Sequence, residues 1–248
     1  MKKYIYIVFI LIIFIAILSC TKSKSVLKVG LKADYPPFEF KKDNVLTGID
    51  VELAKKVGES LGYSIEFVEM EFDELLPALN NKKIDLAVSA ITINQQREQI
   101  VDFSIPYFFA DQALIANEDA TYKIDNMEDI SEFKIGCQNG TTGQFFLQYN
   151  LVEENLMPWQ NLIPFNNNNN AISALINEEI DLLIMDDSAA DSFSRIKPIK
   201  IAHIIKTDEK YGIAMRQGYS IKNDINTALK QILNSDFWTS LITDYMGK

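Results

Sequence analysis

The sequence predicts an α/β chain of two lobes built alike, each a mostly parallel sheet flanked by helices, and three observations carry that expectation. Strand-like and helix-like segments alternate from Val26 onward, the order that produces right-handed crossovers and parallel pairing. Two stretches echo each other, "ALNNKKIDLAV" (Ala78 to Val88) and "ALINEEIDLLI" (Ala174 to Ile184), with the same six-residue step from Leu79 to Asp85 and from Leu175 to Asp181. Apolar residues make up 48% of the chain, so a core is within reach without disulfides. Length alone fits one large domain or two smaller ones.

The elements follow in order. "MKK" is basic, "YIYIVFILIIFIAIL" (Tyr4 to Leu18) is a 15-residue apolar run, and "SC" closes it. The run is shorter than the roughly 20 residues of a spanning helix. Its basic–apolar–small order is that of a secretory signal. "ILSC" resembles a bacterial lipobox, which makes residues 1–19 a lipoprotein signal peptide and Cys20 the acylated first residue of the mature chain. The competing reading is an uncleaved anchor. Residues 20–25, "CTKSKS", form a polar tether. The protein is thus expected outside the cytoplasmic membrane, in the cell envelope, attached to a membrane by lipid.

Beyond the tether, "VLKVGL" alternates as a strand, and "GIDVELAKKVGESLG" carries a helical stripe (Val51, Ala54, Val57, Leu61) ended by Gly62. "YSIEFVEM" reads as a strand, "FDELLPALNN" as a helix and "IDLAVSA" as a buried strand. "FKIGCQNGTTG" opens the second lobe as a strand and a glycine-rich turn. "NNNNN" (Asn166 to Asn170) is a loop before the helix "AISALINEE", with Asn170 as its candidate N-cap. "IKIAHIIK" and "KYGIAMR" read as strands, and "IKNDINTALKQILNS" and "DFWTSLITDYM" as closing helices.

Composition narrows the chemistry. Removing residues 1–19 takes away Lys2 and Lys3, so the mature charge is 22 − 34 = −12, against −10 for the whole chain. So acidic a protein is not expected to bind nucleic acid, which demands clustered Lys and Arg. His203 is the sole histidine, and with Cys20 lipidated Cys137 has no partner. A histidine-based zinc site or a Ser-His-Asp or Cys-His catalytic group is therefore not expected. No metal or cofactor is expected. "NGTTG" lacks the Gly-Lys-Ser/Thr ending of a phosphate-binding loop.

In parallel sheets ligands sit beyond the carboxyl ends of strands, beside helix N-termini. Four segments have that position: "KADYPPFEF", the helix opening at Phe72, "SAITINQQR" and "QNGTTG". The third ends in Arg97, one of only three arginines in a chain that uses lysine for most positive charge. Arginine is favoured where a carboxylate is gripped by two parallel hydrogen bonds. The alternative is a surface arginine at a helix start.

These residues together resemble a family. "VGLKADYPPFEF", "LTGIDVELAKKVGESLG", "FDELLPALNNKKIDLAVSAITINQQREQIVDFSIPY", "IGCQNGTTG" and "IDLLIMDDSAA" are similar to the extracellular solute-binding proteins, family 3, of polar amino-acid ABC transporters, from Val26 to Lys248. The resemblance implies a type II periplasmic-binding fold, with lobe 1 at residues 26–110 and 213–248 and lobe 2 at 111–212. Two crossing strands, near Phe109 to Leu114 and Asp208 to Ile213, would join the lobes. Arg97 matches the arginine that holds the ligand α-carboxylate, with Thr92 and Thr142 as further donors. Ala90 would offer only its main chain, and Ser89 is either lining or core. Asp186 matches the acid that receives the α-ammonium, with Asp187 the competing assignment. Tyr35 and Phe72 match aromatic walls of the side-chain pocket, or else pack in the core.

Members taking basic ligands or glutamine tend to carry Asp where this chain has Lys32. A lysine facing the pocket would repel a cation and favour a polar or acidic amino acid, unless it points to solvent. Gln138 also departs from common choices and would reshape the second wall. The reading implied is a monomeric, non-enzymatic binding component that clamps one amino acid and delivers it to a membrane permease. Rival readings are an enzyme of the prephenate or arogenate dehydratase kind, an amino-acid-sensing lipoprotein, and an adhesin-like surface lipoprotein.

Overall fold

Two five-stranded sheets organise the protein, which we describe from a computed structural model covering residues 25–247. The signal peptide, Cys20 and all of the tether but Ser25 lie outside the described residues. Strand β1 (Val26–Leu31) leads to a small antiparallel sheet, β2 (Asp34–Tyr35), β3 (Glu39–Lys42) and β4 (Val45–Thr47). Helix α1 (Ile49–Leu61) begins at Gly48 and ends at Gly62, whose φ of 76° is the left-handed stop that glycine tolerates. Gly48 has φ 127°, and a Cβ there would lie 2.0 Å from the Phe38 carbonyl oxygen, so the close approach of strand and helix needs glycine.

Next come β5 (Ser64–Glu69), α2 (Leu75–Asn80) entered by a tight turn at Phe72–Glu74, β6 (Leu86–Ala87), the short α3 (Gln95–Glu98) and β7 (Val101–Phe103). The chain then enters the second sheet through β8 (Phe108–Asn117), β9 (Ile135–Gln138), α4 (Thr142–Leu147), β10 (Leu162–Phe165), α5 (Asn168–Ile176), β11 (Leu182–Asp186), α6 (Asp187–Ser194) and the long β12 (Ile199–Tyr211). It returns to the first sheet with β13 (Ala214–Arg216) and closes with α7 (Lys222–Leu233) and α8 (Asp236–Met246). The strand foreseen in "KYGIAMR" is therefore two: Tyr211 ends β12, and β13 starts at Ala214 in the other sheet.

The sheet orders are β5-β1-β6-β13-β7 and β10-β9-β11-β8-β12. In the first, β13 alone pairs antiparallel to its neighbours; in the second, β8 does. In each sheet the reversed strand is thus the one entered from the other sheet. Both faces of both sheets are covered. Leu86 and Met215 face one apolar cluster with Leu53 and Val57 of α1, while Ala87 and Ala214 face another with Leu75 and Leu79 of α2. In the second sheet Leu183 and Met185 pack on one side, Leu182 and Ile184 on the other.

The internal echo has a common physical basis. Asp85 and Asp181 each accept a backbone N–H from the start of a neighbouring strand, Lys28 (3.0 Å) and Lys134 (2.7 Å). Each returns its own N–H to that residue's carbonyl, at 2.8 and 2.9 Å. Lys82 and Glu178, three residues earlier, both take positive φ, 56° and 59°. One helix-stop-and-strand-start device serves both sheets. The asparagine run differs from expectation in one detail: Asn167 caps α5, accepting the Asn170 N–H, so Asn170 is the capped residue. His203 lies in β12 with Nδ1 against the Ile124 carbonyl, and Cys137 is a buried strand residue whose thiol is pushed up to about 12 by burial.

Candidate functional site

Where β1, β6, β9 and β11 end, their following segments converge on one enclosed cleft between the sheets. It is lined by Lys32, Asp34, Tyr35, Glu39, Phe72, Ser89, Ala90, Thr92, Arg97, Gln112, Gln138, Thr141, Thr142, Asn168, Ile184, Met185 and Asp186, around a cavity of about 30 Å³. That is far below the roughly 300–1,000 Å³ of small-molecule sites, so the walls stand close together and must part to admit a ligand. All ten residues singled out from the sequence are brought to this lining. Asp187 is not among them; its carboxylate turns back onto the Ser188 N–H at 2.7 Å.

Arg97 sits in α3, where the Asn94 side chain accepts its backbone N–H. The guanidinium is 8% exposed and reaches both walls, donating from Nη1 to the Thr92 carbonyl (2.8 Å) and from Nη2 to the Gly140 carbonyl (3.0 Å). It lies 5.6 Å from the centre of the Phe72 ring, a cation–π distance. Burial lowers its pKa to about 10, with Glu209 and Asp186 pulling the other way, so it stays charged at neutral pH.

On the opposite wall Asp186 ends β11 and is 7% exposed. Its N–H donates to the Tyr35 hydroxyl (3.0 Å), and its carboxylate accepts from Gln112 Nε2 (2.5 Å) and from the Tyr211 hydroxyl. Burial, with the neighbouring Glu209 carboxylate second, raises its pKa to about 7. A cation entering beside Asp186 would reverse that effect, because opposite charge favours the ionised form.

The other predicted residues are more constrained. Ser89 Oγ donates to Glu39 (2.6 Å) and accepts the Lys32 N–H (3.1 Å), so lining and core readings both apply. Ala90 adopts φ 48° and gives its N–H to Asp50 (2.7 Å), leaving its carbonyl as the main-chain group it can offer. Lys32 faces the cleft, 8% exposed, with Nζ on Glu71 at 2.9 Å. Gln138 Nε2 and Gln112 Oε1 are buried without a partner among the described residues. Buried polar atoms are nearly always paired, so unpartnered ones around a cavity point to a polar occupant.

Several lining residues escaped sequence reasoning. Asp34 accepts the backbone N–H and Nδ2 of Asn168, both at 3.0 Å, and so ties the small antiparallel sheet to the start of α5. The run read as loop tolerance thus places Asn168 in the wall. Glu39 and Asp50 are buried together; burial and the Asp50 charge hold the Glu39 carboxyl well above its usual range, and burial raises Asp50 to about 6. The acid within "PPFEF" and the glutamine within the apolar "ADQALIA" were legible signals. Glu209, which meets Thr92 and Thr142, carried none.

Two sheets enclosing such a cleft at their strand ends define a type II solute-binding fold. Residues 27–248 match the bacterial extracellular solute-binding proteins, family 3, and the chain belongs to that family. A relative described as a probable histidine-binding protein of Campylobacter jejuni is 32% identical over 227 residues, 88% of this chain and 84% of its own. A solved ancestral arginine-binding protein bound to arginine superposes with TM-score 0.84 at 31% identity, covering 91% of this chain and all of that one. The ancestral amino acid-binding protein AncCDT-1, a precursor of cyclohexadienyl dehydratase, gives 0.81 at 31% identity, covering 90% and 96%. Among the described residues no helix is long and apolar enough to cross a membrane.

Proposed function

We propose that this chain binds one free amino acid between its two sheets, as the substrate-binding component of an ABC importer. The observation that carries the reading is the placement of Arg97 and Asp186 on opposite walls of a single enclosed cleft. A zwitterion presents the complementary pair, and charge-assisted hydrogen bonds are the strong ones. The α-carboxylate lies on Arg97, Thr92 and the Thr142 turn; the α-ammonium lies on Asp186 with the Ala90 carbonyl near it. Residues 26–110 with 213–248 act as one lobe and 111–212 as the other. Contacts to the second lobe form only on closing, which gives the ligand its differential affinity for the closed state.

The side chain of the ligand is polar or acidic. Lys32 and the unpartnered Nε2 of Gln138 both offer donors, which suits a side chain that ends in acceptor oxygen. Two of the relatives are described as a probable histidine-binding protein and an arginine-binding protein, and Lys32 is the feature that argues for a different preference here. Tyr35 and Phe72 wall the aliphatic part. The loaded protein, held to a membrane by lipid on Cys20 and acting as a monomer, docks on a permease.

A thermal-shift panel of the common amino acids tests this directly, because a ligand that binds only the native state raises its melting temperature. Stabilisation by glutamate, aspartate, glutamine or asparagine is expected. No response to any amino acid would overturn the reading, and response to arginine alone would overturn the side-chain preference. The dehydratase alternative draws on the raised pKa of Asp186, a proton-bearing carboxyl in a cleft. Incubation with prephenate is expected to give no turnover.

A further inference from the structure

We infer that Glu209 competes with the ligand carboxylate for the hydroxyls of Thr92 and Thr142, which an amino acid gains by displacing it. The inference rests on the proposed role of Thr92 and Thr142 as carboxylate donors.

Strand β12 runs in register with β8 from Ile199 to Ile205 apart from one earlier shift, then breaks. Ile205 pairs with Gln112, and the next partners are Glu209 and Ala110, so four steps on one strand answer two on the other. Such bulges re-aim a side chain, often beside a functional site. Here Asp208 takes φ 51°, an uncommon conformation outside glycine. The bulge is held in place: the Asp111 carboxylate accepts the N–H groups of Thr207 (3.0 Å) and Asp208 (3.1 Å) and pairs with Lys206 Nζ (2.5 Å).

The result is that Glu209, lining a neighbouring pocket with Thr92 and Thr142, meets the cleft at the residues the two share. Its Oε2 accepts the hydroxyls of Thr92 (2.5 Å) and Thr142 (2.8 Å), and its Oε1 accepts Gln112 Nε2 (3.0 Å). Each hydroxyl carries one proton, so while both point at Glu209 neither can donate to another carboxylate. Thr92 follows β6 of the first sheet, and Thr142 opens α4 of the second. Glu209 therefore joins the two walls through the groups the ligand would use. A second carboxylate beside it would also face like charge, with Asp186 already close enough to feel Glu209. Flanking Asp208 and Lys210 are exposed, so the side chain has solvent to swing into.

The test uses the exported chain with Glu209→Ala and Glu209→Asp, whose shorter side chain keeps the charge but loses reach. Calorimetry with the amino acid that stabilises the wild type should show at least fivefold tighter binding to Glu209→Ala, and a smaller gain for Glu209→Asp. Small-angle scattering of the ligand-free proteins should show a larger radius of gyration for Glu209→Ala. Weaker binding would mean that Glu209 contacts the ligand ammonium and would overturn the inference, as would unchanged affinity together with unchanged scattering. If no amino acid binds wild type or variant, the amino-acid reading falls, and the scattering comparison alone then decides whether Glu209 ties the cleft. Circular dichroism identifies a variant that fails to fold, in which case Thr142→Val, which removes one donor, should expand the ligand-free protein likewise.

Discussion

Raising the pH from 6 to 8 should tighten ligand binding about tenfold, and Asp186 is the reason. Its folded-state pKa is about 7, through burial first and the Glu209 charge second. On the proposed reading, the α-ammonium of the ligand pairs with the ionised carboxylate. At pH 6 a group of pKa ~7 is ionised about one time in eleven, and at pH 8 about ten times in eleven. The ratio is ~10, or about 1.4 kcal/mol. Bound ligand lowers the pKa, so binding below pH 7 releases a proton. Titration calorimetry in two buffers of different ionisation enthalpy should report roughly 0.9 protons released at pH 6 and few at pH 8. The ligand used must not itself titrate in this range. Affinity flat from pH 6 to 8 with no proton release would refute the argument.

The same group bears on stability with the opposite sense. Unfolded, Asp186 titrates near 3.8; folded, near 7. The folded state therefore holds the proton more tightly, so the ligand-free protein is not penalised below pH ~4 and loses stability as pH climbs towards 7. Three pH units correspond to about 4 kcal/mol, an upper figure because a buried site relaxes. Asp186→Asn should remove much of that fall, melting higher than wild type at pH 8, while abolishing ligand binding.

Other perturbations follow from the same geometry. Arg97→Lys should cost at least ~2 kcal/mol of ligand affinity, since an ammonium cannot span both walls with a planar fork; calorimetry on the folded variant checks it. Lys32→Asp should shift preference towards basic amino acids, read by repeating the thermal-shift panel. Gly48→Ala should destabilise the protein by more than ~1 kcal/mol in denaturant unfolding, because the new Cβ meets the Phe38 carbonyl at 2.0 Å and φ is 127°.

What the sequence disclosed and what it withheld divide along physical lines. Local periodicity located α1, α7 and α8, and the resemblance singled out ten residues that the fold gathers around one cavity. Most of them end or follow a strand or lie in the first turn of a helix, positions that topology alone makes convergent. Missing were residues whose role depends on a partner distant in sequence. Asp34 matters because Asn168 meets it 134 residues later, and an asparagine run reads as loop until that contact exists. Likewise the crossing expected near Asp208 to Ile213 gave no sign of an acid at the site; the register break against β8 brings Glu209 to Thr92 and Thr142.

That difference has a consequence for how such a cleft discriminates. Residues read from motifs, Arg97 and Asp186, fit the features common to all amino acids. Residues set by long-range pairing, Lys32 with Glu71, Asp34 with Asn168 and Glu209 with both threonines, vary in what they leave unsatisfied. An arginine-binding relative at 31% identity can therefore share the whole frame while its pocket answers to another side chain. On the proposed reading, Lys32, held 8% exposed with its charge turned to a carboxylate outside the lining, is where this chain parts from a cation-binding pocket. A ligand that draws the ammonium away from Glu71 must offer it acceptor oxygen, and the proposed preference for an oxygen-bearing side chain over a guanidinium rests on that requirement more than on cavity volume.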